Sequence, residues 1–319
     1  MSEYDVVVIG GGAAGLAGAV TVARARRTVL VVDAGQPRNA PAAGIHNYLG
    51  REGARPADLL ADGRAELAGY GGSVVDGVVR TARREDDGTF RVALDGGREV
   101  SARRLLVATG LVDELPDVPG LADRWGRDVL HCPYCHGWEV RDQPIGILAT
   151  GPNAMHQALL FRQLSEDVVF FLHSGPGLAP EQAEQLTALG VRMVDGEVTG
   201  VEVTDDRLTG VRLVTGEVVP RSALVVAPIF TARAGVLESL GVPAMDQEMG
   251  GHVVGSAVPA DPTGATSVPG VWVAGNVSDL SAQVVVSAAA GLRAGAMINA
   301  DLVAEDARVA VAAHRSVAV

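Results

Sequence analysis

The stretch Gly10-Gly11-Gly12-Ala13-Ala14-Gly15 constrains this chain more than any other feature, because of what flanks it. Before it lies an apolar run, Asp5 to Ile9, that reads as a strand, and after it a small-residue segment to about Arg26 that reads as a helix. In Gly10-x-Gly12-x-x-Gly15 the first glycine permits a tight turn. The second lets the backbone approach a pyrophosphate, and the third lets the helix pack closely on the strand. The amide groups that open the helix then face the phosphates, with Ala13 and Ala14 in its first turn. A second strand, Thr28 to Val32, ends on Asp33, where a carboxylate can accept hydrogen bonds from a ribose 2′-hydroxyl. That acid disfavours a 2′-phosphate, so the unit fits FAD or NAD rather than NADP. The glycines alone are a weak signal; strand, loop, helix, strand and acid in order specify a βαβ dinucleotide unit.

A second unit of the same kind begins at Pro144, with a strand over Ile145 to Leu148, a helix to about Leu164 and a strand over Val168 to Leu172. Between the two, Ser73 to Val100 alternates in short segments divided by Asp87-Gly88 and Asp95-Gly96-Gly97, which predicts an antiparallel meander. Leu105 to Ala108 resumes the first sheet. Beyond about Gly241 the chain is loop-rich as far as Pro269-Gly270, and a strand, Val271 to Ala274, then leads into a long helix after Gln283. The expected fold is therefore α/β: two Rossmann-like, three-layer nucleotide-binding domains with antiparallel β-meander insertions. The first is discontinuous, 1–114 plus 244–319, and the second spans 115–243. Apolar residues make up 48% of the chain and aromatics 4%, so the cores must be built from Val, Ala and Leu, as buried parallel strands require. Glu305 to Val319 fits either the end of that helix or a tail.

A formal charge of −12 gives no footprint for nucleic acid or an anionic membrane, and a small ligand or a protein partner is expected instead. The start, Met1-Ser2-Glu3-Tyr4-Asp5, lacks a basic segment and a signal-length apolar run, which points to the cytoplasm. Val284 to Ile298 is apolar but short and contains Arg293, so it reads as a buried helix rather than a membrane span.

Both cysteines of the chain fall in His131-Cys132-Pro133-Tyr134-Cys135-His136-Gly137-Trp138-Glu139. If Cys132 opens a helix, its sulfur lies at the positive end of the dipole, where thiol pKa values fall from about 8.5 toward neutrality. Three residues further on, Cys135 shares its face, within reach of a disulfide. His136 and Glu139 follow at helical spacing, so the histidine could move protons while the carboxylate orients it. Three other readings compete. C-x-x-C-H is also a haem attachment pattern, but it needs a haem-loading compartment, and nucleotide-binding units flank it here. Tetrahedral structural zinc needs four ligands, and there is no second CxxC to join His131 and His136. Two inert buried thiols would not call for so many polar neighbours.

Taken together, these motifs resemble the low-molecular-weight thioredoxin reductase family along nearly the whole chain. Val268-Pro269-Gly270-Val271-Trp272-Val273-Ala274-Gly275-Asn276 looks like that family's second FAD motif, with Asn276 where Asp is usual, and Ala108-Thr109-Gly110 like the turn closing the first FAD segment. The resemblance implies FAD as cofactor, held by Gly10, Gly12, Ala13, Ala14, Gly15, Asp33, Asn47, Thr109, Gly110, Gly275 and Asn276, with Gln283 and Val284 near the flavin ring. Cys132-Pro133-Tyr134-Cys135-His136-Gly137 is similar to the dithiol oxidase branch, which closes disulfides in natural products such as holomycin and gliotoxin. Reductases of the family place Asp after the second cysteine instead. By this resemblance Cys135 is the flavin-proximal sulfur, Cys132 exchanges with substrate, and His136 takes the acid-base position.

The second glycine loop departs from the reductase pattern. It reads Ala149-Thr150-Gly151-Pro152-Asn153-Ala154, followed later by His173-Ser174-Gly175 where the reductases carry arginines for a 2′-phosphate. NADPH contacts are thus expected to be lost while the fold is kept. The resulting expectation is a homodimeric, FAD-dependent oxidase of a small-molecule dithiol, with dioxygen as acceptor and hydrogen peroxide as product. A donor-driven disulfide reductase and a non-catalytic redox sensor are the alternatives.

Overall fold

The structure is a computed structural model and describes residues 2–317. Val6, Val7 and Val8 are buried on both faces of the opening strand Ser2–Ile9, as a central parallel strand demands. Val29–Asp33 and Glu99–Val107 flank it in parallel, with Val7 opposite Leu30 on one side and Leu105 on the other. Val271–Val273 joins the far side of Glu99–Val107, also in parallel. The expected meander is present as Val79–Arg84, Phe90–Leu94 and Glu99–Val107, but Ser73–Asp76 is not part of it. That segment extends the parallel sheet beside Val29–Asp33 after a helix, Pro56–Gly69, whose polar surface masks it in the sequence.

One face of this sheet carries the helix Ala13–Arg24 and the long helix Val284–Val317. The two touch along small residues: a Cβ on Gly291 would overlap the carbonyl of Ala14, and one on Gly295 would stand 2.6 Å from that of Gly18. The undecided C-terminal stretch is helical to Val317, secured by Arg104 on Asp301 (2.5 Å) and Glu305 (2.5 Å) and by Arg103 on Asp306 (2.5 Å). No helix among the described residues is long and apolar enough to cross a membrane.

The second sheet is wholly parallel, in the order Arg192–Val194, Val168–Phe171, Ile145–Leu148, Ala223–Val225, Val129–Leu130. Leu111–Glu114 and Ile229–Ala232 pair antiparallel where the chain crosses between the two units. The return comes earlier than composition suggests. Ala232, Ala234, Val236, Leu237 and Val242 already pack in the first core with Val7, Leu105 and Val271, so the second unit ends before Ile229 rather than at 243. Apolar burial sets this boundary, and the loop-rich composition beyond Gly241 lags behind it.

Candidate active site

The first glycine loop is built by close approach. Gly10, at φ +109°, lies against Ala108 so tightly that a Cβ would overlap its carbonyl oxygen, which fixes the turn Ala108-Thr109-Gly110 beside the loop. Gly15 lies equally close to the carbonyl of Gly10. Asp33 is buried, accepts the Gly11 amide at 3.1 Å and pairs with Arg64, a partner that no sequence motif announces. A Cβ on Gly11 would stand 2.6 Å from the Asp33 carboxyl, so that glycine is needed too. Over Gly12, which caps the helix, a Cβ would meet nothing within 4 Å. That open space before the helix amides is where a pyrophosphate fits. On the opposite wall Gly275, at φ +77°, approaches Ala14, and the Asn276 amide donates to the Asp279 and Ala282 carbonyls at 2.9 Å each, leaving its oxygen as acceptor.

A single cavity of about 1790 Å³ runs from this loop to the cysteines and on to the second glycine loop. Its walls include Gly10, Gly12, Ala13, Ala14, Asp33, Thr109, Gly110, Gly275, Asn276, Gln283 and Val284, so most of the expected cofactor residues meet there. The hydroxyl of Thr109 is taken up by the Arg233 carbonyl at 2.7 Å, which leaves its backbone for the cofactor. Asn47 has a second partner in the fold. Its amide donates to the Tyr134 carbonyl at 2.6 Å, so it clamps the cysteine segment and is absent from the cavity wall.

Cys132 caps a four-residue helix, Pro133–His136, with proline at its first position, where no amide donor is needed. The two sulfurs lie 2.6 Å apart, and both cysteines are free thiols, partly buried. Cys135 donates to Cys132 and so lowers the Cys132 thiol to about 7, against burial, which opposes ionisation; the amides of Tyr134 and Cys135 and the side chain of Gln283, 4.0 Å away, add to the lowering. The Cys135 thiol is pushed up by the same hydrogen bond and by burial. The reduced pair therefore ionises more readily at Cys132 than at Cys135.

His136 lines the cavity, and burial lowers its pKa while Glu139 partly opposes that. Its Nε2 is buried and finds no hydrogen-bond partner among the described residues. A neutral imidazole with a free nitrogen beside two thiols is a proton acceptor in waiting. The expected bond from Glu139 to His136 is not formed: the carboxylate turns to His46 Nε2, 3.5 Å away, because the loop carrying His46 folds over the cysteine helix. Sequence reasoning also missed the Arg38–Asp113 ion pair, with Arg38 5.1 Å over the Phe230 ring and Phe230 edge-on to His131. These residues carry no shared spacing, and only the fold brings them together.

In the second unit Ala149 is buried against Gly175, where a Cβ would come 2.9 Å from its own. The His173 ring accepts the Val198 amide at 3.0 Å, and Glu197 lines the cavity. From this unit's sheet and loops, residues 144–226, the wall receives no arginine.

Comparison with known proteins agrees with this geometry. The chain is 29% identical to thioredoxin reductase tcpT of Claviceps purpurea over 311 residues, 94% of this chain and 95% of that protein. It is 34% identical to thioredoxin reductase aclD of Aspergillus oryzae over 222 residues, 63% and 70% of the two chains. The crystal structure of HlmI superposes with a TM-score of 0.90 at 48% identity, covering 98% of this chain and 97% of that one. An oxidoreductase from Agrobacterium tumefaciens superposes at 0.87 with 33% identity, covering 95% and 99%. The sequence pattern of the pyridine nucleotide-disulphide oxidoreductases matches residues 4–291, and the chain accordingly belongs to that family as a thioredoxin reductase-like FAD oxidoreductase.

Proposed function

We propose that the protein oxidises a small-molecule dithiol to its cyclic disulfide, with dioxygen as terminal acceptor. The observation that carries this reading is the pairing of an intact Cys132–Cys135 site with a second nucleotide unit that, over residues 144–226, brings no arginine to the cavity wall. A 2′-phosphate needs charge-assisted hydrogen bonds, and Glu197 repels one.

In the resting enzyme the pair is a disulfide. His136 takes a proton from one substrate thiol through its free Nε2, and the resulting thiolate attacks Cys132. The Cys132–Cys135 bond breaks, a substrate–Cys132 disulfide forms, and Cys135 leaves and takes up a proton. The second substrate thiol then attacks the substrate sulfur of that mixed disulfide, closing the ring and releasing Cys132. A leaving thiol with a pKa of about 7 departs readily, which suits Cys132 to this step. The Gly10–Gly15 loop, Gly275 and Asn276 would hold FAD, which would supply the two-electron acceptor between the Cys132–Cys135 dithiol and dioxygen, whose two-electron reduction gives hydrogen peroxide. The sum is one dithiol and one dioxygen to one disulfide and one hydrogen peroxide. The likeness of Cys132-Pro133-Tyr134-Cys135-His136-Gly137 to the dithiol oxidase branch supports a natural-product substrate. Action in the cytoplasm as a homodimer is part of this proposal.

The test is anaerobic. Excess NADPH leaves the flavin oxidised, whereas a dithiol of suitable geometry bleaches it, and air restores the colour with about one hydrogen peroxide per disulfide closed. Faster bleaching by NADPH than by any dithiol would reverse the direction of electron flow and make the protein a disulfide reductase.

A further inference from the structure

The loop that follows the first βαβ unit meets the cysteine segment at two points, one on the helix Pro133–His136 and one at Glu139 in the turn after it. Asn47, in the left-handed region at φ +58°, which asparagine tolerates, donates to the Tyr134 carbonyl at 2.6 Å. One residue earlier, His46 sits between two carboxylates: Nδ1 lies 2.6 Å from Glu52 and Nε2 lies 3.5 Å from Glu139. Glu52 also accepts the Asn47 amide at 3.1 Å, and these bonds hold it below the usual carboxylate range. Its carboxylate is largely exposed, so the row runs from solvent at Glu52, through His46, to Glu139 and the wall that holds His136. The charged or titratable groups acting on His136 from around it are Glu139 and His46.

We infer that His46 is a positioning residue for the site's acid–base chemistry: anchored by Glu52, it holds the Glu139 carboxylate beside His136. The inference rests on the proposed role of His136 as proton acceptor. Left to itself, a half-exposed glutamate on a short turn would swing into water, where its field at His136 is screened. Tethered, it favours the imidazolium that forms when a substrate thiol gives up its proton. The carboxylate thus acts across a gap rather than through the direct bond that the His136-Gly137-Trp138-Glu139 spacing suggests.

The role has a signature that simple structural support lacks, because His46 could influence His136 in opposite senses. As a tether it raises the His136 pKa through Glu139; as a nearby cation it lowers it. Histidine NMR titration of the FAD-loaded protein, with the His136 signal assigned by its loss in His136→Asn, separates the two. Glu139→Gln should lower the His136 midpoint by about half a unit or more, and His46→Gln should lower it likewise. The double variant should move it no further than Glu139→Gln alone, since both act through one carboxylate. Glu52→Gln should give a smaller fall. Dithiol-driven bleaching at pH 7 should slow about tenfold in His46→Gln at unchanged flavin content and melting temperature. A midpoint that rises or stays fixed in His46→Gln overturns the inference. Failure of every dithiol to bleach the wild-type flavin would instead overturn the proposed function, and the titration, which needs no substrate, would still judge His46.

Discussion

The two glycine-loop units share one architecture and differ in what their loops leave open. In the first, Gly10 and Gly15 occupy points where a Cβ would strike a backbone carbonyl, and Gly12 opens onto free space before the helix amides. In the second, Ala149 fills the corresponding turn and Gly175 gives it room, so the packing is repaired while the approach to a phosphate is not. Parallel strands and buried valines need no ligand to persist, and a loop can therefore lose its nucleotide without loss of the fold around it. The cysteine pair lies between the two units, facing a cavity that both of them line.

The strongest way to break the contrast is to put a Cβ where the first loop cannot take one. Gly15→Ala should lose most of its flavin, read as absorbance per chain, because the helix must move off the Gly10 carbonyl. Full flavin content in a folded variant would mean that the loop adapts as the second one has done. Next in size are the cysteines: Cys132→Ser and Cys135→Ser should each abolish disulfide formation, but with different spectra. Cys132→Ser leaves Cys135 to perturb the flavin band, whereas Cys135→Ser does not, and identical spectra would undo the assigned roles. In the reduced wild type, alkylation of Cys132 should quicken as pH rises toward about 7 and level off above it, since the thiolate is the reactive form. A rate still climbing at pH 9 would show that Cys135 does not stabilise that thiolate.

His136→Ala should lower turnover by about 10²–10⁴-fold with flavin retained. An unchanged rate would transfer proton acceptance to His131 or to the substrate. The smallest effect is expected in the second loop, where Ala149→Gly should leave the flavin as insensitive to NADPH as before, since the missing arginines are not restored. Bleaching by NADPH in that variant would show that one methyl group had closed the site.

Much of this was legible in the sequence, and for a local reason. A βαβ dinucleotide loop is specified by residues close in the chain, so Gly10, Gly12, Gly15 and Asp33 appear in the cavity or behind it as their spacing requires. Cys132 and Cys135 meet because three residues along a helix is one turn. The second FAD segment at Gly275 and Asn276 was legible through family likeness, and the fold brings it opposite Ala14. Tertiary structure decided the rest wherever the answer depended on which distant segment arrives nearby. Asn47 donates to the Tyr134 carbonyl, and Glu139 faces His46 rather than His136, because a loop some ninety residues upstream folds over the cysteine segment. The return crossing before Ile229 and the pairing of Asp33 with Arg64 are of the same kind. Spacing along the chain fixes what a helix turn or a glycine loop can do, while hydrogen-bond partners across the cavity are chosen by packing, which leaves no pattern in the sequence.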